Sequence, residues 1–408
     1  MKDAEGLRNL AKIVAKEQDN LIVVVSAFGK TTNALEKVME SWLTGNETFN
    51  YLLDEVYASH LSVIEDLFSP GSDVKRKIDE SFALLRNYLL TSNTKIYDYN
   101  YDQVVSYGEI WSTMIVAEFL KKSNLDAAWC DIRENLLTDD NYRDANILWD
   151  ESNKKLHNTF DFSNKKIYVT QGFIGGTAAG DSTTLGREGS DYTAAILANM
   201  FNAGCVVVWK DVPGILNADP KWLSGARKMD EISYKEAVEM SFSGAKVIHP
   251  KTIKPLHNKN IPLIVKSFLT PDGDGTIIWA DAILKEVMPV FIKKENQILI
   301  SITPIDFSFV MGDNLSRIFH SFIKHGIKVN LVEASAVNID VCVDDDRVKI
   351  NKLVSDLKTE YSAVYNEKIE MLTIRHYTPE AIDLVTVGRE ILLEQRTRST
   401  VRFVVREE

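Results

Sequence analysis

The sequence predicts an α/β protein, a mostly parallel sheet sandwiched by helices, followed by a smaller α+β region. Three observations carry this prediction. Apolar runs of strand length recur at Leu21–Val25, Ile167–Thr170, Cys205–Trp209 and Pro262–Phe268, the first apolar enough to be covered on both faces. Helical segments separate them, which is the βα alternation of a parallel sheet. Around Thr276–Lys285 the texture changes: the glycine-rich loops stop, and short strands alternate with helices to the end. A chain of 408 residues exceeds one core, so two or three domains are expected, with the main division between 1–283 and 284–408.

Composition narrows the function. A net charge of -11 argues against a general nucleic-acid binder, which would carry a basic stripe, but leaves room for a local anion pocket. Cys130, Cys205 and Cys342 are far apart and form no C-x-x-C pair, so neither a zinc site nor a disulfide framework is expected. Cys205 and Cys342 lie in apolar strand runs and read as inert core residues, and a reducing cytoplasm fits. No apolar run approaches the roughly 20 residues that span a bilayer, so no membrane partner is expected.

In chain order, Met1–Lys16 reads as an amphipathic helix with Leu7, Leu10, Ala11 and Val14 on one face. The strand Leu21–Val25 opens onto a polar loop, Ser26 to Asn33. Gly29-Lys30-Thr31 looks like part of a Walker A loop, but Val24 stands where that motif needs glycine. What remains is hydroxyls and a lysine at a strand's C-terminal end, either a ligand position or an ordinary polar turn. Asn33–Leu120 reads as helical, broken at Pro70-Gly71 and near Asn100. Glu109 is embedded there in the apolar run Val104–Phe119. Burying an unpaired carboxylate costs several kcal/mol, so Glu109 needs either a cationic ligand group or a structural lysine or arginine. Ala127–Asp131 is a strand and Arg133–Asn146 a loop.

The central stretch is Ile167–Asp191. A strand leads into a segment with six glycines between Gly172 and Gly189. A helix follows from about Tyr192, with Ser190 or Asp191 as its cap, Ala194, Leu197, Met200 and Phe201 on its buried side, and Gly204 ending it. Strand, glycine-rich loop and helix N-terminus together make an anion site, because amides without helical acceptors point at the ligand. Arg187 adds a cation inside the loop. Beyond the strand Cys205–Trp209, turns are expected at Lys210–Gly214 and Asn217–Pro220. Helices follow over Ser233–Ser243 and from Pro250 to about His257, with His249 as a capping or packing residue. In the C-terminal region, strands are expected at Ile298–Ile302, Val329–Val332, Val337–Val343, Met371–Arg375, Ile391–Glu394 and Thr400–Val405. Asp313 is expected to cap a helix that Gly326 ends, and a second helix covers Arg347–Leu357. This β-α-β-β texture resembles small ferredoxin-like modules.

These segments resemble the aspartate kinases of the amino-acid kinase superfamily. The resemblance runs in order through VVVSAFGKTTNAL, SYGEIWSTMIVAEFL, VTQGFIG, TTLGREGSDYTAA, KDVPGILNADP, SYKEAVEMSFSGAKVIHP and IPLIVKSF. It implies an amino-acid kinase fold over 1–283 and paired ACT-type regulatory domains over 284–408. It also implies transfer of a phosphoryl group from ATP, with Mg2+, to the side-chain carboxylate of L-aspartate, giving 4-phospho-L-aspartate at the head of lysine, threonine and methionine synthesis. Carried over position by position, Arg187 would hold the α-carboxylate of aspartate and Glu109 its α-ammonium group. Ser26, Thr32 and Ser190 would belong to the substrate site and Asp191 would lie beside the reacting groups. Gly172, Gly175, Gly189, Asp211, Pro213 and Gly214 would belong to the nucleotide site, and Lys246 would reach the phosphates. No dedicated protein metal site is implied. The C-terminal region would bind an amino-acid effector, lysine or threonine, and join two copies into a dimer.

Three departures qualify the resemblance. The family opens with a strand and a Lys-Phe-Gly-Gly-Thr-Ser loop, whereas here Met1-Lys2-Asp3 leads straight into AEGLRNLAKIV and no Lys-Phe-Gly-Gly occurs. The expectation is a chain that lacks this strand and its lysine and is weakly active or inactive. Glu188 stands where the family has glycine, so its carboxylate should point away from the phosphates. Ala334-Ser335-Ala336 replaces the family's Thr-Ser-Glu, which leaves feedback inhibition open. Lys210, Leu216 and Lys221 also depart from the nucleotide turn. The alternatives are another amino-acid kinase, such as glutamate 5-kinase, and a non-catalytic ACT-type amino-acid sensor.

Overall fold

The first strand of the computed structural model, β1 (Leu21–Val25), follows a helix, α1 (Ala4–Val14), that Asp3 caps through the amide of Gly6. Residues 1–17, 19–245, 248–280, 282 and 288–407 are described. Four helices come next: α2 (Thr31–Leu43), α3 (Thr48–Leu67), α4 (Asp73–Thr91) and α5 (Tyr97–Lys122). The second break falls at 92–96 rather than near Asn100, which lies inside α5. Asn100 is tolerated in the first turn because its amide donates to Thr94 O and Ile96 O while its oxygen accepts from Tyr88.

Next come β2 (Ala127–Cys130), α6 (Trp149–Thr159), β3 (Ile167–Gln171), and the short pair β4 (Ile174–Gly176) and β5 (Ser182–Thr184). They are followed by α7 (Gly189–Phe201), β6 (Val206–Lys210), β7 (Glu231–Ser233), α8 (Tyr234–Ser243), α9 (Pro250–His257), β8 (Leu263–Ser267) and β9 (Thr276–Trp279). The order β1-β3-β2 is parallel throughout, β6 and β8 are also parallel, and β9 is antiparallel to β8. Helix α7 starts earlier than expected, at Gly189, and neither Ser190 nor Asp191 caps it. Glu188 takes the cap position in a left-handed conformation, and its side chain makes no capping hydrogen bond to the helix. Gly204 does not end the helix: Asn202 takes the left-handed position instead (φ 50°), a role that asparagine fills with little strain. Of its predicted inner face, Leu197 and Met200 are buried and Ala194 and Phe201 half-buried; Ala195, Ile196 and Ala198 are buried too. Cys205 precedes β6 and is exposed, so it is not a core residue; Cys130 and Cys342 are buried.

The C-terminal strands are β10 (Val290–Pro304), β11 (Val329–Ala334), β12 (Ile339–Asp344), β13 (Tyr361–Arg375), β14 (Arg389–Arg396) and β15 (Thr400–Glu407). Their helices are α10 (Asp313–Lys324), α11 (Arg347–Leu357) and α12 (Pro379–Thr386). The strands form one antiparallel sheet, β11-β12-β10-β13-β15-β14. The long strands β10 and β13 run through both halves of it, so two α+β modules share one sheet. Gly312, not Asp313, takes the cap position of α10.

The chain divides into two compact units, Met1–Pro213 with Ile248–Ala280, and Gly214–Val247 with Asp281–Glu408. The segment 214–247 therefore packs with the C-terminal sheet. Ala218, Trp222, Leu223 and Ala226 join Phe291, Leu372, Ile374 and Phe403 in one apolar cluster. Arg375 on β13 donates from Nε and Nη2 to the two oxygens of Glu236 on α8, at 2.6 and 2.7 Å, with both side chains buried.

Candidate active site

The first unit holds a cavity of about 450 Å³, walled by the C-terminal ends of β1 and β6, the middle of α5 and the N-terminus of α7. The C-terminal edge of a parallel sheet is where such folds place ligands, because loop backbone and helix N-termini converge there. Gly172 and Gly189 bring the β3 loop and α7 together. A Cβ on Gly172 would sit 2.5 Å from Ser190 Cβ, and one on Gly189 would sit 2.6 Å from a ring carbon of Phe173. Thr193 ties the same junction, accepting from Phe173 N (3.0 Å) and donating to Gly189 O (2.9 Å). The leading amides of α7 have no acceptor within the helix and lie at the cavity, with the helix dipole adding partial positive charge.

Glu109 is the most informative side chain. It is 3% exposed. Gly108 lets Ala27 come close, and the Ala27 amide donates to Glu109 Oε1 at 3.2 Å. Oε2 is buried and has no hydrogen-bond partner among the described residues. No lysine or arginine among those residues neutralises it, so of the two possibilities for this residue the cationic ligand group fits. Burial pushes its carboxyl up to about 8, although the Ala27 amide pulls the other way. An ammonium group arriving at Oε2 would both satisfy that atom and favour the ionised form.

Ser26, Thr32, Arg187, Gly189, Ser190 and Asp191 line the same cavity as Glu109. Ser26 donates to Ser190 across 2.9 Å, and Arg187 is exposed at the wall. Asp211 and Pro213 follow directly on β6 and are exposed, while Gly214 is buried. Gly172 is buried behind the wall, where its role is the close approach just described. Gly175 is not brought to the cavity: it sits in β4, where a Cβ would meet Leu136 O and Thr138 Cγ2, so packing explains it. Lys246 lies outside the described residues. Glu188 borders the cavity, and its carboxylate accepts from His249 N at 3.0 Å, which occupies the charge locally. His249 is the cap of α9, its ring accepting from Lys251 N, as its position before Pro250 suggested.

Sequence reasoning missed several wall residues, and three of them shape the site. Lys210, read only as part of a turn, ends β6 with its ammonium group 2.8 Å from Asp191 Oδ2. Arg143 stands in an expected loop. Its guanidinium lies over the rings of Tyr101 (4.6 Å) and Tyr97 (5.4 Å) and pairs with Asp98 (3.2 Å). Tyr101, a little over two turns before Glu109 on α5, also faces the cavity. Buried Asp102 holds this rim, accepting from the amides of Arg143 (2.9 Å) and Thr184 (2.8 Å) and from the Thr184 hydroxyl (2.7 Å). The only available signal was a cluster of aromatic and charged residues in YDYNYDQ.

A parallel-sheet edge with one buried acid, an arginine and a helix N-terminus defines a small-molecule site suited to an amino acid and a phosphate. Residues 1–267 match the profile of the amino acid kinase family, and the chain belongs to that family. Within it the chain falls among the aspartate kinases. It is 32% identical over 346 residues to lysine-sensitive aspartokinase 3 of Escherichia coli, covering 84% of this chain and 76% of that protein. It is 30% identical to the chloroplastic aspartokinase 3 of Arabidopsis thaliana, covering 86% and 64%. Against a bifunctional aspartokinase/homoserine dehydrogenase of Zea mays, at 30% identity, it spans 68% of its own length but only 31% of the relative. The crystal structure of Escherichia coli aspartokinase III with aspartate and ADP (R-state) superposes with a TM-score of 0.84 at 27% identity, over 99% of this chain and 93% of that one. The lysine- and aspartate-bound T-state of that enzyme gives 0.80. Among the described residues, no helix is long and apolar enough to cross a membrane.

Proposed function

We propose that this chain binds L-aspartate in the cavity of its first unit and transfers the terminal phosphoryl group of ATP to the aspartate side-chain carboxylate. The observation that carries the reading is the unsatisfied, buried Oε2 of Glu109, in the same cavity as Arg187. Glu109 takes the α-ammonium group. Arg187 takes the α-carboxylate, which its planar fork suits. The hydroxyls of Ser26, Thr32 and Ser190 give the remaining wall its polarity. A side-chain carboxylate is already ionised at neutral pH, so no general base is needed. Catalysis then rests on holding two anions in line and neutralising the charge that develops between them.

The nucleotide is assigned to the α7 N-terminus and to the turn Asp211–Gly214, with Lys246 reaching its phosphates by the family resemblance. Mg2+ fits this wall. No group of three acidic, histidine or cysteine side chains among the described residues could cage a metal, and the cavity offers the partly buried carboxylate of Asp191. That suits an ion which keeps its waters and rides on the nucleotide phosphates; Asp191 is already paired with Lys210, so the ion would be held mainly through those phosphates. Bound there, it would neutralise charge on the phosphate oxygens. The C-terminal sheet is proposed as the ACT-type region that takes an amino-acid effector and pairs with a second copy.

The test is ADP release with aspartate, glutamate and carbamate as acceptors, with and without EDTA, beside calorimetry of each ligand and of lysine and threonine. Turnover confined to aspartate and abolished by EDTA is the expected result. Turnover with glutamate instead would reassign the acceptor. Binding of lysine or threonine without any nucleotide binding would favour a sensor.

A further inference from the structure

Lys210 is a lysine that no part of the resemblance accounts for, yet it lines the candidate cavity beside Asp191. It is the last residue of β6, in register with Ser267 of β8. Within the strand, Val206 and Val208 are buried, and Lys210 shares their face by the two-residue alternation. The other face carries Trp209, over which Lys266 of β8 lies at 5.6 Å. Just past the end of the strand, the Lys210 side chain meets the first turn of α7, and its ammonium group lies 2.8 Å from Asp191 Oδ2. Both groups remain partly accessible from the cavity, at 30% and 17% exposure.

We propose that Lys210 is a catalytic cation of this site, its ammonium group contacting the transferred phosphoryl group while Asp191 aims it. This rests on reading the cavity as a phosphoryl-transfer site. Position supports it: Lys210 lines the same cavity as Arg187 and Glu109, the residues assigned to the acceptor. Along the chain it runs directly into Asp211–Gly214, the turn assigned to the nucleotide. A cation common to both assignments is placed to meet the group that passes between them. Electrostatics supports it too. Two anions meet here, and a lysine already held by a carboxylate needs little reorganisation to follow the charge.

The step balances without a proton. An acceptor carboxylate oxygen forms a bond to the terminal phosphorus while the bond from that phosphorus to the β–γ bridging oxygen breaks. The electron pair of the broken bond leaves with ADP. Lys210 takes no part in the bond changes and pairs with the equatorial oxygens.

The test uses the full chain with Lys210→Met and Lys210→Arg, followed by ADP release and by calorimetry with aspartate, ADP and the non-hydrolysable ATP analogue AMP-PNP. Lys210→Met should lower kcat by about a hundredfold and leave the KM for aspartate near the wild-type value, with Lys210→Arg recovering much of the loss. It should also weaken AMP-PNP by about tenfold relative to ADP, since only the analogue carries the third phosphate. A Lys210→Met protein with wild-type kcat overturns the proposal. So does one in which aspartate binding, both nucleotides and Tm all decline together, because that pattern marks a tether of α7. If the unsubstituted chain turns over no aspartate, the transfer reading fails. The AMP-PNP comparison then decides Lys210 alone: selective weakening upholds the phosphate contact, and equal affinities refute it.

Discussion

At the scale of single residues, Glu109 sets function against stability. Its carboxyl sits at about 8 instead of the ordinary 4.5 because it is buried. A folded-state value above the unfolded one means that folding retains a proton between those two pH values. The unliganded protein is therefore most favoured at low pH in this respect and loses that contribution as pH rises through about 8. Glu109→Gln removes the charge and should raise Tm by at least about 3 °C at pH 8.5, with the gain vanishing toward pH 5. The same substitution should abolish aspartate binding. Wild-type protein should release a proton when it binds aspartate, seen as a buffer-dependent calorimetric enthalpy. Unchanged aspartate affinity in Glu109→Gln would remove the ammonium site.

At the scale of elements, two junctions decide whether the parts meet. The β3 loop reaches α7 only because Gly172 has no side chain, a Cβ there falling 2.5 Å from Ser190 Cβ. Gly172→Ala should cost about 1 to 3 kcal/mol and weaken aspartate binding with it, since Ser190 is displaced first. Chemical denaturation and calorimetry of the variant measure both; a variant as stable and as tight-binding as wild type would contradict the geometry. The second junction is the clamp of α8 on β13. Burial alone would raise Glu236, but the Arg375 guanidinium outweighs it and holds the carboxyl below its usual value. A depressed carboxylate stabilises the fold above its unfolded pKa and loses that contribution as pH falls through the folded one. Arg375→Met should destabilise by about 3 to 5 kcal/mol at neutral pH, because it strands a buried charge, and by less in acid. A pH-independent loss would show that the guanidinium acts only by packing.

Across the whole molecule, the boundary lies elsewhere than the change of sequence texture suggested. The family profile covers 1–267, yet 214–247 packs with the C-terminal sheet. A chain cut at residue 283 would expose Ala218, Trp222 and Leu223, which otherwise sit against Phe291, Leu372 and Phe403. It should aggregate or unfold without a cooperative transition, as followed by size exclusion and calorimetry. A monomeric, cooperatively melting 1–283 would restore the simpler two-domain division.

The sequence by itself determined most strands and helices of the first unit to within a few residues, though not α6 or the β4–β5 pair, and it determined the family; it also proposed the anion site at the α7 N-terminus. Apolar periodicity, glycine placement and the fixed order of short motifs are local properties, and local properties survive in a one-dimensional string. It also set a condition on Glu109, that a buried carboxylate must find a cation, without naming which. Tertiary structure alone decided that no described protein cation meets Glu109, that Lys210 faces Asp191, and that Arg143 and Tyr101 form a rim. It likewise sent Gly175 to a hairpin and α8 to the C-terminal sheet. These pairings join residues far apart along the chain, such as Ser26 with Ser190, 164 positions away. They exist only once loops have closed and cores have packed, and neither event leaves a mark on the residues between.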